Sequence, residues 1–414
     1  MGLSFGLQDT NEIMGNVTGG VRRGAAYDGL TMASVGLDTD KAFGWPGGTI
    51  NVSVLDIRGR SLSADNLMNL QTVSNISAAP AVRLWEMFFQ QAFANGRFDV
   101  KIGQQSIDQE FITSQGSGVF LNTMMGWPMV PSADLYAGGP SYPLSSLGVR
   151  LRGRLTDSVT VLSGVFDDNP PGGSLLNDSQ LRGAERTGTL FNLGTGALII
   201  GEVQYALNQP LGQSGGASSA LSGLYKLGFW YDTGRFVSQR YDTAGLSLAD
   251  PRSTGTSATR WHNFSIYAVA DQTVWQSDPQ ALGVFVRAMG APGDRNLISF
   301  SANAGVTLKA PVPGRDNDVL GIGFGMTRIS GAASGLDEDM NTFGQGPVPV
   351  RSSESFLELT YQAQVAPWWL FQPDFQYVFR PGAGLQDPNR PAQRIKDEAG
   401  TWRAERGDIL KRPF

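Results

Sequence analysis

The 414-residue chain contains no cysteine and only one histidine, His262. Without cysteine there can be no disulfide, no thiolate metal ligand and no cysteine nucleophile. One imidazole cannot build the zinc sites that need several histidines, and a Ser-His-Asp triad would depend on His262 alone. From this composition we expect no metal site and no cofactor.

Long apolar runs are also missing. No stretch of 18 consecutive apolar residues occurs, so the sequence predicts no transmembrane helix. The residues after Met1 are polar and alternating, and they lack the charged start and apolar core of a secretory signal peptide. Charged residues are only 17% of the chain, and the formal net charge is -5. Because there is no broad basic footprint, we expect no nucleic-acid partner.

Glycine is abundant, with 53 residues, and so are short segments in which apolar and polar residues alternate. The clearest segment is Leu147 to Leu155, in which apolar side chains occupy one face of an extended strand and Arg150, Arg152 and Arg154 occupy the other. Each arginine would cost roughly 2–4 kcal/mol at a bilayer midplane, so the arginine face must contact water. Such a strand lies either on a solvated sheet surface or in the wall of a water-filled tube.

Roughly fourteen such segments of about ten residues follow one another along the chain. Examples are Thr49 to Leu55, Phe98 to Gly103, Ala197 to Leu207, Gly223 to Asp232 and Ile298 to Leu308. Short turns and long loops alternate between them, which is typical of an all-β, transmembrane antiparallel β-barrel. The apolar row of each segment is then predicted to contact lipid, and the polar row to line an internal passage.

Two features refine this prediction. Pro373 interrupts the segment Leu370 to Phe379 and predicts a β-bulge, since proline cannot donate to a ladder. Aromatic residues near segment ends are predicted to form girdles at the membrane interfaces. These residues are Trp230, Tyr231, Trp275, Trp368, Trp369 and Tyr377.

Five blocks of the sequence are similar to one known family. They are GNVTGGVRRGAAYDG, GWPGGTINVSVLDIRGRS, SNISAAPAVRLWEMFFQQAFANGRFDVKIGQQSIDQEF, GPSYPLSSLGVRLRGRLTDSVTVLSGVFDDNPPGG and ELTYQAQVAPWWLFQPDFQYVFRPG. They resemble the carbohydrate-selective outer-membrane porins of Gram-negative bacteria, over about the first 380 residues. The resemblance implies a barrel of about 16 strands in the bacterial outer membrane. It also implies passive uptake of small sugars through a lumen narrowed by inward-folded loops and charged side chains.

The C-terminal segment departs from this pattern. A single barrel domain is predicted for residues 1–414, with 393–414 as an atypical part. This tail, QRIKDEAGTWRAERGDILKRPF, would place charges on both faces of a strand. It is either an extension beyond the barrel, or a closing strand that is poor in apolar residues and pairs with Leu3 to Leu7.

Nine side chains are predicted to line the pore or contact solutes. Arg150, Arg152 and Arg154 would lie at the constriction and donate to sugar hydroxyls, the alternative being that they only keep a polar wall soluble. Arginines so close together repel one another unless carboxylates face them across the lumen. The candidate carboxylates are Asp99, Glu86, Glu358 and Asp374.

The facing of Val82 to Phe93 is ambiguous, because Arg83 and Trp85 alternate with Glu86. All three remain pore-lining candidates. Three aromatic residues are also predicted as a surface on which apolar sugar faces stack, namely Trp85, Trp230 and Phe89. The long loop Phe111 to Tyr142 is predicted to fold into the pore, with an external lid as the alternative.

We expect the protein not to be an enzyme. The motif GxSxG at 212–216 lies in a Gly/Ser-rich loop without the strand-to-helix elbow that hydrolases need. The acidic turns at 316–318 and 337–339 lack the spacing of a calcium loop. Two other functions stay open, a general diffusion porin and a soluble β-rich glycoside hydrolase that uses two carboxylates. The expected partners are small sugars and outer-membrane lipid, with the chain as a monomer or homotrimer.

Overall fold

One antiparallel sheet organises the chain. The computed structural model describes residues 2–170, 186–191, 193–208, 221–344, 346–401 and 404–407. The strands are β1 (Leu3–Asn16), β2 (Gly24–Asp38), β3 (Gly48–Gly59), β4 (Ala81–Phe93), β5 (Phe98–Gln105), β6 (Ser146–Arg154), β7 (Val159–Asp167), β8 (Ala197–Leu207), β9 (Gly223–Asp242), β10 (Ser257–Ser277), β11 (Gln280–Gly290), β12 (Ile298–Lys309), β13 (Val319–Ile329), β14 (Ser353–Ala366), β15 (Trp369–Gln372), β16 (Asp374–Phe379), β17 (Gln386–Asp387), β18 (Arg390–Arg394), β19 (Glu398–Thr401) and β20 (Ala404–Gly407).

The sheet closes into a barrel of 16 antiparallel strands among the described residues. β15 and β16 both pair with β14 and act as one spanning strand, and β19 and β20 likewise act as one strand beside β1. β1 pairs with β2 on its other side, so the sheet closes on itself. Closure satisfies the backbone hydrogen bonds that hydrocarbon cannot satisfy. β17 and β18 form a separate pair.

The α-helical segments are few and short. They are α1 (Thr39–Phe43), α2 (Thr123–Gly126), α3 (Met129–Asp134), α4 (Gly331–Thr342) and α5 (Pro381–Gly384). No helix in the described ranges is both long enough and apolar enough to cross a membrane. The connections after β4, β6, β10 and β14 are tight turns at one end of the barrel, the turn rim, which is also where β1 begins. Long connections lie at the opposite end, the loop rim.

The tail supplies the closing strand, so its interpretation as an extension beyond the barrel is wrong. β19 pairs with Gly15 and Asn16, and β20 pairs with Asp9 to Glu12. On its other side this strand pairs with β15 and β16. The predicted pairing with Leu3 to Leu7 would involve residues 408–414, which lie outside the described residues.

Pro373 does not produce the predicted bulge. Thr360 pairs with Asp374, and Ala363 pairs with Phe371, so the register of β14 is unchanged from one side of the proline to the other. The proline therefore removes one ladder donor without adding a residue to the strand.

A bulge lies instead in β4, where it explains the ambiguous alternation. Ser53 pairs with Glu86 and Val54 pairs with Leu84, so Trp85 is the extra residue. An unbroken strand would put Glu86 on the face opposite to Arg83. The bulge shifts the alternation by one residue and brings Arg83, Trp85 and Glu86 to the inner side.

The outer surface is apolar, as the alternation predicts. On β6, Leu151 is 48% exposed while Arg150 is buried, and on β9, Leu227 is 62% exposed while Lys226 is buried. The same outward rows contain Phe5, Val149, Phe229, Ile322 and Leu359. An exposed apolar surface that surrounds the molecule suits hydrocarbon and not water.

A polar network on the outer face of β1 to β3 is an exception. Arg58 donates from Nη2 to Asp9 Oδ1 and to Thr31 Oγ1, both at 2.9 Å, and from Nη1 to Asp56 at 3.2 Å. Asn11 donates to Asp9 at 2.6 Å. Because these groups satisfy one another, the cost of placing them on this face is reduced.

The core lies inside the barrel and is formed by two long connections. We call residues 60–80 the first inserted loop and residues 106–145 the second inserted loop. Their buried apolar side chains pack against the inner wall, and they include Leu62, Leu67, Val73, Phe111, Phe120, Leu121, Met124, Met125, Trp127, Val130 and Leu135. The prediction that Phe111 to Tyr142 folds into the barrel is confirmed, and the external lid is wrong.

The girdle prediction holds for part of its residues. Trp275 and Trp368 are exposed on the outer surface near the turn rim. Trp230 is fully buried among the inserted loops, so its placement in a girdle is wrong.

Candidate permeation pathway

A cavity of about 290 Å³ lies between the two inserted loops and the inner wall of β1 to β4. Its apolar lining residues are Leu30, Met32, Leu55, Ile76, Trp85, Leu121 and Trp127. Its polar lining residues are Gln8, Thr10, Glu12, Asn75, Asp108, Gln109, Thr123 and Gln372. Such a cavity can accept a solute that has both an apolar face and hydrogen-bonding groups.

The arginine row faces inward, but its three members differ. Arg150 is buried and forms an ion pair with Asp99, and its Nε lies 2.7 Å from Glu110 Oε2. Arg152 is half-exposed and donates from Nε to the other oxygen of Asp99 at 2.6 Å. Arg154 lies exposed at the turn rim, with no ion pair in the described part of the chain.

Lys101 completes this cluster. Its Nζ lies 2.5 Å from Glu110 Oε1 and 4.4 Å from the centre of the Phe88 ring. Two carboxylates, Asp99 and Glu110, therefore serve three cations. Sequence reasoning missed Glu110, because it lies in the second inserted loop, where no strand alternation indicates its direction.

Three of the four carboxylates predicted to face the arginines do not. Glu86 accepts the backbone N–H of Ser106 at 3.1 Å, and Asp374 accepts from the side chain of Gln376 at 3.1 Å. Glu358 accepts backbone N–H groups of the second inserted loop. Of the four predicted carboxylates, Asp99 alone pairs with the arginine row, so the prediction is wrong for Glu86, Glu358 and Asp374. Glu86 and Glu358 hold the second inserted loop, and the cited bond of Asp374 stays within its own strand, β16.

Of the three aromatic residues predicted to stack on sugars, only Trp85 lines the cavity. Trp230 is fully buried and has no free surface. Phe89 packs edge-on against Trp45, with ring centres 6.1 Å apart, beside the turn between β2 and β3. The stacking prediction is therefore wrong for Trp230 and Phe89.

Arg83 lies behind the cavity wall. It is buried, and its Nη1 donates to the Pro143 carbonyl at 3.3 Å. The neighbouring Tyr142 lines the cavity and donates from its hydroxyl to the Ile76 carbonyl at 2.7 Å. Burial raises the pKa of Tyr142, so the phenol stays neutral and joins the two inserted loops by this hydrogen bond.

Charged residues on the inner wall anchor the second inserted loop, and sequence reasoning missed them. Glu202 on β8 accepts the N–H of Ile112 at 2.9 Å, and Lys226 on β9 donates to Thr113 Oγ1 at 2.7 Å. Asp271 on β10 accepts from Ser114 Oγ at 2.6 Å. The alternation predicts that these side chains point inward, but it gives no information about their partners.

The first inserted loop is anchored in the same way. Glu354 on β14 accepts the N–H groups of Leu70 at 2.9 Å, Gln71 at 2.7 Å and Gly382 at 2.7 Å. One carboxylate thus receives three backbone donors from two different loops, and it fixes the first inserted loop against the wall.

The candidate enzyme and calcium features have other roles or lie elsewhere. The GxSxG motif at 212–216 falls outside the described residues. His262 stacks on Tyr231, with ring centres 5.5 Å apart. Asp337 pairs with Arg351 at 2.8 Å, and Asp318 pairs with Arg315 at 2.8 Å. Within the described ranges, no group of three or more acidic or imidazole side chains could hold a metal ion.

Comparison with known proteins decides the family. The model of the carbohydrate-selective porins of the OprB family matches residues 22–399. The chain belongs to this family. It is a carbohydrate-selective porin of the outer membrane of Gram-negative bacteria, and not an enzyme.

Two relatives are similar to this porin over most of its length. Porin B of Pseudomonas aeruginosa is 24% identical over 424 residues, which cover 95% of this chain and 87% of that protein. The high-pH structure of OprB from Pseudomonas putida superposes with a TM-score of 0.84 at 21% identity, covering 99% of this chain and 94% of that one.

More distant porins share the fold alone. The anion-selective porin from Comamonas acidovorans superposes with a TM-score of 0.52 at 12% identity, covering 98% of this chain and 99% of that one.

Proposed function

We propose that small sugars cross this porin through the cavity between the inserted loops and β1 to β4. The observation that carries this proposal is the lining of the cavity, which combines apolar and aromatic side chains with hydrogen-bonding ones. A sugar ring has an apolar C–H face and a rim of hydroxyls, so both kinds of lining residue find a partner. Hydroxyl, amide and carboxylate groups can exchange hydrogen bonds with the passing solute in place of water.

Trp85 is the side chain best suited to the apolar contact. It is the bulged residue of β4, and it lines the cavity together with Leu55, against which it packs. A flat indole offers a sugar ring a large contact area at a low cost in conformational entropy. Its role is therefore to hold the sugar face while the hydroxyls change partners.

The basic cluster near the turn rim supplies the electrostatic part of the proposal. Arg150 and Arg152 share Asp99, and Arg154 lies beyond them towards the rim. This row of cations against buried carboxylates creates a local field that orients polar neutral solutes. Arg83 and Glu86 support the same wall from behind the cavity.

The test is sugar permeation in reconstituted liposomes. Replacing Trp85 by Ala is expected to lower the rate of monosaccharide entry by roughly two- to tenfold, since one stacking contact is lost. Trp368→Ala, on the outer surface, is the matched control and is expected to keep the wild-type rate. An unchanged rate in Trp85→Ala would contradict this route. Equal entry of sugars and of other neutral solutes of the same size would indicate a general porin.

The oligomeric state belongs to the same proposal. The cavity lies inside one closed barrel, so the proposed sugar route is the same in a monomer and in a homotrimer. In a homotrimer, the outer polar network around Arg58 and Asp9 would be the surface best suited to contact between copies. Chemical cross-linking in native membranes distinguishes the two states, because a monomer gives a single band.

A further inference from the structure

The helical turn α2 borders the cavity on one side and the barrel wall on the other. Thr123 and Gly126 belong to α2 and line the cavity. The opposite side of α2 meets the inner faces of β11, β13 and β14, which we call the anchoring wall. A shift of α2 towards or away from this wall would change the width of the cavity.

Arg287 on β11 holds the end of α2. Its guanidinium donates to the carbonyls of Met124 and Met125 at 2.7 Å, of Gly126 at 2.9 Å and of Ile112 at 3.1 Å. Arg287 is fully buried, and no carboxylate in the described ranges forms an ion pair with it. Backbone carbonyls of the second inserted loop therefore compensate this buried cation.

Glu358 on β14 holds the start of the same turn. It accepts the N–H of Leu121 at 2.5 Å and the N–H of Asn122 at 3.2 Å. Asn122 in turn caps α2, since its side chain accepts the N–H of Met124 at 3.1 Å. Glu358 therefore accepts N–H groups at the start of α2, and Arg287 donates to carbonyls at its end. These are the backbone groups that a helical turn leaves without internal partners at each end.

β13 provides the space for this arrangement. Its inward positions in this region are Gly321, Gly323 and Gly325. A Cβ on Gly321 would lie 2.9 Å from the Phe120 ring, and one on Gly323 would lie 2.8 Å from the Met125 side chain. The glycine row therefore lets the second inserted loop approach the wall more closely than any larger residue would permit.

We propose that Arg287, Glu358 and the glycine row of β13 are positioning residues that set the size limit of the pathway, although none of them lines the cavity. They fix α2 against the far wall, and the position of α2 sets how wide the cavity is. This inference rests on the proposed function, in which the cavity is the sugar route. Removing the Arg287 guanidinium leaves the carbonyls at the end of α2 without donors, and removing the Glu358 carboxyl leaves the N–H groups before α2 without an acceptor.

The test compares folded variants reconstituted in planar bilayers and in liposomes. Arg287→Met keeps the side-chain length but removes every donor, and Arg287→Lys keeps one point charge that cannot reach all the carbonyls. Arg328→Met is the matched control, because Arg328 lies exposed on the outer side of β13. The readouts are single-channel conductance, its substates, and the ratio of disaccharide to monosaccharide entry.

For Arg287→Met we expect a barrel that still migrates faster unheated than boiled, a conductance with several substates, and a disaccharide-to-monosaccharide ratio raised roughly twofold or more. Arg287→Lys is expected to give an intermediate ratio, and Glu358→Gln to change the ratio in the same direction as Arg287→Met.

Wild-type conductance and ratio in folded Arg287→Met would overturn the inference. Failure of both Arg287 variants to fold would also overturn it, because Arg287 would then be needed by the barrel and not by the loop. Absence of sugar entry in the wild type would instead contradict the proposed function.

Discussion

Asp99 lies between Arg150 and Arg152 on the inner wall and pairs with both. The alternation of β5 places it inward, and the pairing of Asp99 with Arg152 across β5 and β6 brings it beside the arginine row. The sequence could therefore predict this contact. Glu110 could not be predicted, because its position depends on how a 40-residue connection folds back into the barrel, and local periodicity does not encode that path.

Replacing Arg150, Arg152 and Arg154 together by Ala is expected to change single-channel conductance and sugar affinity while the barrel still folds. Three inward cations are lost, but β5 and β6 stay joined by their backbone ladder, which does not depend on these side chains. The measurement is conductance in the presence of increasing monosaccharide, with heat-dependent gel mobility as the check on folding. Loss of membrane insertion would contradict this, since it would place the arginines at a structural interface.

Asp134 gives a prediction about pH. It ends α3, is buried, and accepts the N–H of Ile298 at 3.2 Å. Burial raises the pKa of Asp134 well above its usual value, so the folded protein keeps its proton at pH values where the unfolded chain has lost it. Its contribution to stability is therefore lost as the pH rises through the pKa of the folded state.

Asp134→Asn is accordingly expected to reduce the fall in stability between acidic and alkaline pH. The measurement is the temperature at which the folded gel band converts to the unfolded one, compared at pH values on both sides of neutrality. The transition temperature of the wild type should decrease more with rising pH than that of the variant. Parallel curves for the two proteins would contradict the assignment to Asp134.

For the strands, the alternation of apolar and polar residues predicts which side chains point inward. For the inserted loops, no pattern in the sequence predicts which residues they contact. In β6 and β9, apolar and charged residues alternate with a period of two, which places them on opposite faces of the strand. The sequence therefore predicts which face contacts lipid. The bulge at Trp85 disrupts this period, and no residue type there indicates an extra position. Arg287 is visible in the sequence only as an inward cation, since its partners lie more than 150 residues earlier in the chain.

The closing strand gives a prediction at this scale. β19 and β20 pair with β1 on one side and with β15 and β16 on the other. A chain that ends at Asp397 would leave two strand edges unpaired, and hydrocarbon cannot satisfy their backbone groups. We expect this truncated chain to give no heat-modifiable band and no channels. A truncated chain that forms wild-type channels would show that another segment closes the barrel.

In the molecule as a whole, apolar side chains cover the outer face of the barrel wall, and polar side chains occupy its inner face, against which the inserted loops pack. This arrangement inverts that of a soluble protein, and it follows from the need to satisfy every backbone group in lipid. The sequence predicts the barrel and its orientation because composition and alternation agree over most segments. It does not predict the packed interior, in which both inserted loops form a core around an off-centre cavity.

An arginine placed on the outer surface tests the orientation. Leu227→Arg is expected to destabilise the folded state by about 2–4 kcal/mol if the site lies near the midplane. Thr307→Arg, on the inner side of β12, is the control and should cost less, because water reaches that side. Unfolding in denaturant with lipid vesicles measures both. Equal costs would contradict the assignment of the outer face to lipid.

The most direct test of the whole account is the conductance of the purified protein in a planar bilayer while sugars are added. We expect stable conductance steps. The conductance of each step should decrease as monosaccharide is added and should approach a lower limit, because each sugar in the cavity displaces water and ions. Disaccharides should reduce the conductance less at the same concentration, since fewer of them enter the cavity. An absence of conductance steps, or steps whose conductance no sugar changes, would contradict the passage of sugars through the cavity.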